Sequence, residues 1–499
     1  SSSEGGKRKH TFSEDTEMIR KLAAGLIVAL FYAAAASMPN PGTAPAQEAP
    51  RLQSTSGDRE SVMITVYNQN FGLVREIRDL SLARGLVSLE FGDVASSIQP
   101  ETVHLRALDG ARLTVLEQNY QYDLLSPQKL LEKYVGRTVK VYRWNEALGQ
   151  DEMVEAEVLS VNQGTILKIG DEITFNYPGR LAFPEVPDNL ISRPTLLWKL
   201  DSGSNRQRVE TSYLTHNLNW KADYVMVVDE NDRRGDITGW VTLTNQSGAS
   251  YENAQLKLVA GDVQRVSAPQ AYGAARKSVM RAEMAMDEAV AEEAFFEYHL
   301  YTLNRPATVL NNEQKQVTLL EASDFGIKKR LIFYGAAYYF RGSYGQIESN
   351  QKVGVFLDFE NSEKNGLGMP LPAGIVRVYK SDASGAQQFI GEDHIDHTPR
   401  DEKVRIKMGE AFDVVGDRRQ MDFDIIADCV TESEWEINLR NHKDEEVEVE
   451  VFEPIGADWE ILSSSHRATK LDAHTFKFTV KIPPRGEETI NYSVRVRWC

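Results

Sequence analysis

Between residues 211 and 266 apolar and polar positions alternate more cleanly than anywhere else in the chain. Ile237, Gly239, Val241 and Leu243 interleave with Thr238, Trp240, Thr242 and Thr244. A period of two sends these sets to opposite faces of a strand. The apolar run 224–228 ends in the polar tract 229–236, and Leu256, Leu258 and Ala260 resume the alternation after Asn245-Gln-Ser-Gly-Ala-Ser. Such a tract is turn chemistry, and Thr and Trp suit a half-buried pleated surface. The pattern predicts an antiparallel β-sandwich at the centre of the fold.

The same reading runs through the rest of the sequence. Val62, Ile64 and Val66 start the first strand, Val87, Leu89 and Phe91 face inward on another, and 102–108 and 113–122 complete a β-rich N-terminal domain expected over 59–200. Ser126 can cap a short helix whose first position is Pro127, where the missing N–H costs nothing, and Gly136 ends it. Strand candidates at 138–144, 153–161, 165–169 and 172–177 have the cadence of a small SH3-like barrel inserted at about 136–180. A central β-sandwich domain is expected over 201–430. It is interrupted at 268–297 by a segment rich in Ala, Met and Glu, read either as an amphipathic helix that docks on a partner or as a mobile, protease-sensitive insertion. Over 431–499, Trp435, Ile437 and Leu439 alternate. Val447, Val449 and Val451 do so against Glu446, Glu448 and Glu450, and Phe476, Phe478, Val480 and Ile482 follow. Strands at this spacing predict an immunoglobulin-like sandwich without the paired cysteines of antibody domains. The expected fold class is mainly β, a multi-domain set of antiparallel β-sandwiches with a small inserted barrel.

Composition changes the picture at the ends and at the surface. Residues 1–17 are polar and read as an upstream extension. Residues 18–46 read as a signal peptide: Arg20 and Lys21 precede the apolar run 22–36, and Ala44-Pro-Ala46 is a small-x-small cleavage site. An uncleaved anchor is the alternative, although the apolar run is short of the roughly 20 residues a span needs. The expected location is periplasmic or extracellular, with no membrane span in the mature chain. Against 56 Lys and Arg stand 73 Asp and Glu, a net charge of −17, which argues against nucleic acid or an anionic membrane as the main partner. The two cysteines, Cys429 and Cys499, are too few for a disulfide scaffold or a thiolate zinc site. In an oxidising compartment they allow one disulfide; two unpaired thiols are the other reading, since Cys499 stands last in the sequence.

Several stretches carry a resemblance: NLNWKADYVMVVDE, DITGWVTLTNQSGASYENAQLKLVAGDVQRV, NGLGMPLPAGIVRVYK, FIGEDHIDHTPRDEKVRI and WEINLRNHKDEEVEVEVFEPIGADWEILSSSH. Together with shorter matches they cover most of 213–497. In these the chain resembles the bacterial family called domain of unknown function 4139, related to the mucoidy inhibitor A proteins. The resemblance implies an exported, β-rich envelope protein and carries over no catalytic residue. The family pattern has Arg at the place of His394, which weighs against a metal there.

Three groups of residues are candidates for function. His394, Asp396 and His397, with Asp393 beside them, hold the two imidazoles and carboxylates that a transition-metal site uses. They also lie where Asp, His and Pro are ordinary turn residues. Trp220, Tyr224 and Trp240 could line a sugar-binding face, or anchor a sandwich core. Leu367, Met369 and Leu371 lie on the loop 361–374, which Pro370 and Pro372 stiffen. They read as a preorganised docking loop or as a loop tucked onto its own domain. There is no Gly-x-Ser-x-Gly elbow, His-Glu-x-x-His, phosphate loop or dinucleotide fingerprint. The expectation is an exported, non-catalytic envelope scaffold or interaction protein with no cofactor, its partner an envelope protein or glycan. A carbohydrate- or peptidoglycan-binding module is the first alternative and a metal-dependent hydrolase the second.

Overall fold

A computed structural model describes residues 50–499 apart from 147–148, 176, 188–189 and 266–289. The upstream extension, the signal peptide and most of the insertion expected at 268–297 lie outside the described residues. Val290–Phe295, the end of that insertion, is a strand rather than helix or loop, paired antiparallel with Tyr298–Leu303.

The described chain is mainly β and forms five sheets. A four-stranded sheet runs Arg51–Ser54, Gly85–Gly92, Thr195–Ser202, Leu113–Gln121. The expected barrel interval holds a five-stranded antiparallel sheet from Thr138–Asn145 to Arg180–Ala182, with Leu131, Tyr134, Val139, Val141 and Val158 in a core of its own. The helix beside it is Pro127–Lys133, and the Ser126 hydroxyl accepts the Lys129 N–H at 3.1 Å. Among the described residues no helix is long and apolar enough to cross a membrane.

An eight-stranded and a second five-stranded sheet share one large core. The alternation at its centre is obeyed: along Arg234–Asn245, Ile237, Val241 and Leu243 are buried while Thr238, Trp240 and Thr244 stay partly open. Leu218–Val228 pairs antiparallel with Arg234–Asn245 across a turn in which Asp229 Oδ1 accepts the Arg233 and Arg234 N–H groups.

Antiparallel pairing dominates, but four pairs are parallel. Arg51–Ser54 lies beside Gly85–Gly92, Arg59–Tyr67 beside Tyr251–Ala260, Leu218–Val228 beside Gly374–Ser381, and Lys328–Tyr334 beside Val447–Pro454. Parallel neighbours need a crossover, so nothing in local alternation announces them. Two of them also run across the expected boundaries near 200 and 430. Arg59–Tyr67 and Phe71–Ser81, expected within an N-terminal unit at 59–200, are strands of the eight-stranded sheet beside Arg206–His216 and Tyr251–Ala260. The boundary expected near 430 falls at a hairpin of the nine-stranded sheet, which gathers Lys328–Tyr334, Gln346–Glu360 and Lys403–Ala427 with the strands after 430. Its core accordingly joins Phe333, Tyr339 and Val414 to Trp435, Val449, Phe478 and Tyr492. Glu450, expected on the solvent side, is buried there because the parallel pairing brings Arg330 to it (2.7 Å), with Lys477 on its other oxygen.

Three buried asparagines repeat one arrangement at strand ends. Asn245 Nδ2 donates to the carbonyls of Ala249 (2.9 Å) and Leu310 (3.0 Å). Asn361 Nδ2 donates to those of Met369 (2.9 Å) and Pro399 (3.0 Å), and Asn441 Nδ2 to those of Glu445 (2.8 Å) and Pro483 (3.0 Å). Each side-chain oxygen accepts a backbone N–H of the loop that follows: Ser247, Gly368 and Lys443 respectively.

Candidate functional site

The His394–His397 turn leaves the strand Gln387–Ile395 at an edge of the second five-stranded sheet. His394 Nε2 stands 3.9 Å from Asp396 Oδ1, with those side chains 61% and 100% exposed. His397 turns away from them: its Nδ1 accepts the Ala373 N–H at 3.1 Å. Partial burial pushes the His397 imidazole pKa below its ordinary value, against the pull of Asp262, which suits a neutral acceptor. Asp393 is committed to the N–H groups of Lys407 (2.6 Å) and His394 (2.9 Å). Among the described residues no group of three or more His, Cys, Asp and Glu is placed to hold a metal ion.

The three aromatic candidates do not make a face. Trp220 and Tyr224 are buried, and their polar atoms are used internally: Trp220 Nε1 donates to Val259 O (3.1 Å) and the Tyr224 hydroxyl to Pro372 O (2.8 Å). Trp240 sits opposite Asp223 in the antiparallel register, while Trp220 and Tyr224 sit opposite Leu243 and Gly239. Successive residues of a strand alternate sides, so Trp240 is on the other face from both.

The loop 361–374 is tucked onto its own domain. Leu367, Met369 and Leu371 belong to the central core, and Leu371 is 1% exposed. Tyr301 and Tyr224 hold the loop from below by donating to the carbonyls of Pro370 (2.9 Å) and Pro372. Gly368 lies at φ +110°, and a Cβ there would come within 2.8 Å of Glu363. The turn inward therefore needs glycine.

A hollow that sequence reading does not mark lies over the four-stranded sheet. Its outer positions form registered rows: Gln53, Glu90, Leu197 and Asn119 side by side, then Arg51, Ser88, Lys199 and Glu117, with Thr195 beside Gln121. The alternate residues Leu89, Phe91, Leu196, Trp198 and Leu200 go into the core. The groove over these rows has a volume of about 660 Å³. It adjoins a second hollow of about 950 Å³, and Asp93, Ser192 and Arg193 line both. Asp93 is held in the left-handed region at φ 60°. Its carboxylate accepts the Ser56 N–H (2.9 Å), the Ser56 hydroxyl (2.8 Å) and Arg193 Nη1 (2.6 Å). Burial alone would raise its pKa; the bonds from Ser56 and Arg193 outweigh that and hold it at about 2.

Beneath the groove floor lies a buried charge cluster. Arg78 Nη2 donates to Glu76 Oε1 and to Gly92 O, both at 2.9 Å, and Arg59 Nε meets Glu76 Oε2 at 2.6 Å. The Arg78 guanidinium lies 3.6 Å from the centre of the Phe91 ring. The signal for this cluster was parity. Glu76 and Arg78 share a strand face with the buried Val74 and Leu80, a place where charges occur only when paired.

The model of a domain of unknown function, DUF4139, matches residues 209–499. The chain belongs to the DUF4139 family. No curated protein matches it. The DUF4139 segment contains the histidine turn, the three aromatics and the inward loop, whereas the groove is built from residues 51–199 ahead of it.

Proposed function

We propose that this DUF4139 chain is an exported, non-catalytic interaction protein of the cell envelope that binds a glycan along the four-stranded sheet. One observation carries the reading: rows of amide, hydroxyl and charged side chains stand at strand spacing over an open groove of about 660 Å³. Strand spacing of about 4.8 Å approaches the length of one sugar ring, and such side chains both donate to and accept from hydroxyls. Lys199 engages Glu117 at 3.0 Å, leaving Gln53, Asn119 and Gln121 as neutral hydrogen-bonding groups on the outer rows. The signal-like stretch 18–46 and the envelope association of the resemblance support export. Titration calorimetry with soluble peptidoglycan fragments tests the reading. Binding should be measurable, and Gln53→Ala and Asn119→Ala should each weaken it about fivefold to tenfold, the worth of one net hydrogen bond. Absence of binding, or binding that neither substitution changes, removes the groove from the proposal.

A further inference from the structure

Cys429 and Cys499 are the only cysteines in the chain, and the nine-stranded sheet brings them together. Cys429 closes the two-residue turn between Lys403–Ala427 and Val430–Asn441. Its φ is 61°, in the left-handed region that Gly and Asn fill more readily. Val430 pairs with Arg497 in the antiparallel ladder of Val430–Asn441 and Glu487–Arg497. One step further the Trp498 N–H donates to Cys429 O at 2.8 Å. Trp498 is itself held: its Nε1 donates to Thr431 Oγ1 at 3.2 Å, and the Arg341 guanidinium lies 5.2 Å over its ring. The ladder thus continues past both strands, setting Trp498 opposite Cys429 and Cys499 one residue beyond it. The contact registers in the Cys499 thiol, whose pKa is pushed up by hydrogen bonding to Cys429, then by desolvation and repulsion between the two sulfurs. Both thiols are free and exposed. Trp498 stands opposite Cys429 in this register, so the two cysteines are diagonal neighbours across the end of the ladder.

We propose that Cys429 and Cys499 form a thiol–disulfide exchange site that closes to an intramolecular disulfide when it meets an external disulfide. One thiolate of the pair attacks a sulfur of R–S–S–R, forming a mixed disulfide and releasing R–S⁻. The second thiol loses its proton to solvent and displaces the remaining R–S⁻. Two protein thiols are oxidised to one disulfide, and one external disulfide is reduced to two thiols. The closed ring spans every strand from Val430–Asn441 to Glu487–Arg497, so closure removes conformations from the unfolded chain and stabilises this sheet.

The test uses the full chain, reduced and then incubated with oxidised glutathione. Peptide mapping should find Cys429 joined to Cys499, with the intact mass lower by two hydrogens and no glutathione retained. Melting should rise by about 5 °C or more and fall again with dithiothreitol. Cys429→Gly, which suits the left-handed position and so preserves the turn, should instead trap glutathione on Cys499 without that rise. Unreacted thiols, or a chain that keeps glutathione on either cysteine without an intramolecular link, overturns the proposal.

Discussion

Asn245, Asn361 and Asn441 each follow an apolar alternation and each opens a polar stretch, so the sequence marks all three as turn residues. That reading finds their place and misses their work. All three are buried, and the carbonyls they satisfy include Leu310, Pro399 and Pro483, too far along the chain for any local pattern to reveal. A buried carbonyl or N–H left without a partner costs about 1–3 kcal/mol. Asn361→Ala would orphan the Met369 and Pro399 carbonyls and the Gly368 N–H together. The substitution should destabilise the protein by about 3 kcal/mol or more, read as a lowered urea midpoint at unchanged slope.

At the scale of an element, strands were legible and loops were not. Period-two alternation locates Arg234–Asn245, Val447–Pro454 and Thr475–Ile482 because one face of each meets a core. Trp220 shows the limit: the apolar run 224–228 suggests only the second half of Leu218–Val228, so the parity of Trp220 could not be set against that of Trp240. The loop 361–374 fails differently. Gly and Pro announce its stiffness, but whether stiff side chains project outward or inward depends on Tyr224 and Tyr301 beneath it. Because Leu367, Met369 and Leu371 are core residues, replacing all three with Ser should lower the melting temperature by well over 5 °C, given about 2–5 kcal/mol for each lost aliphatic side chain. A melt unchanged by the triple replacement would contradict the packing described. The groove stayed hidden for a related reason. Gln53 sits on one strand and Asn119 and Gln121 on another far from it in sequence, and only their registers with Glu90, Leu197 and Thr195 make them neighbours.

At the scale of the whole molecule, the family segment 209–499 and the folded unit do not coincide. Arg59–Tyr67 and Phe71–Ser81 bury Val62, Ile64, Val66 and Val74 in the core that Tyr251–Ala260 and Leu218–Val228 also line. A fragment of residues 209–499 therefore leaves one side of that core uncovered. It should be aggregation-prone or lack the near-ultraviolet dichroism of fixed aromatics, while a chain starting at residue 51 should fold. A soluble, cooperatively melting 209–499 fragment would refute this dependence. The four parallel pairings also set a timetable. Arg59–Tyr67 is made long before its neighbour Tyr251–Ala260, a wait of about 10 to 40 s at roughly 5–20 residues per second. Lys328–Tyr334 waits in turn for Val447–Pro454. For that interval each early strand exposes an unpaired edge and an apolar side, so the sheets cannot be completed in the order in which the ribosome delivers them.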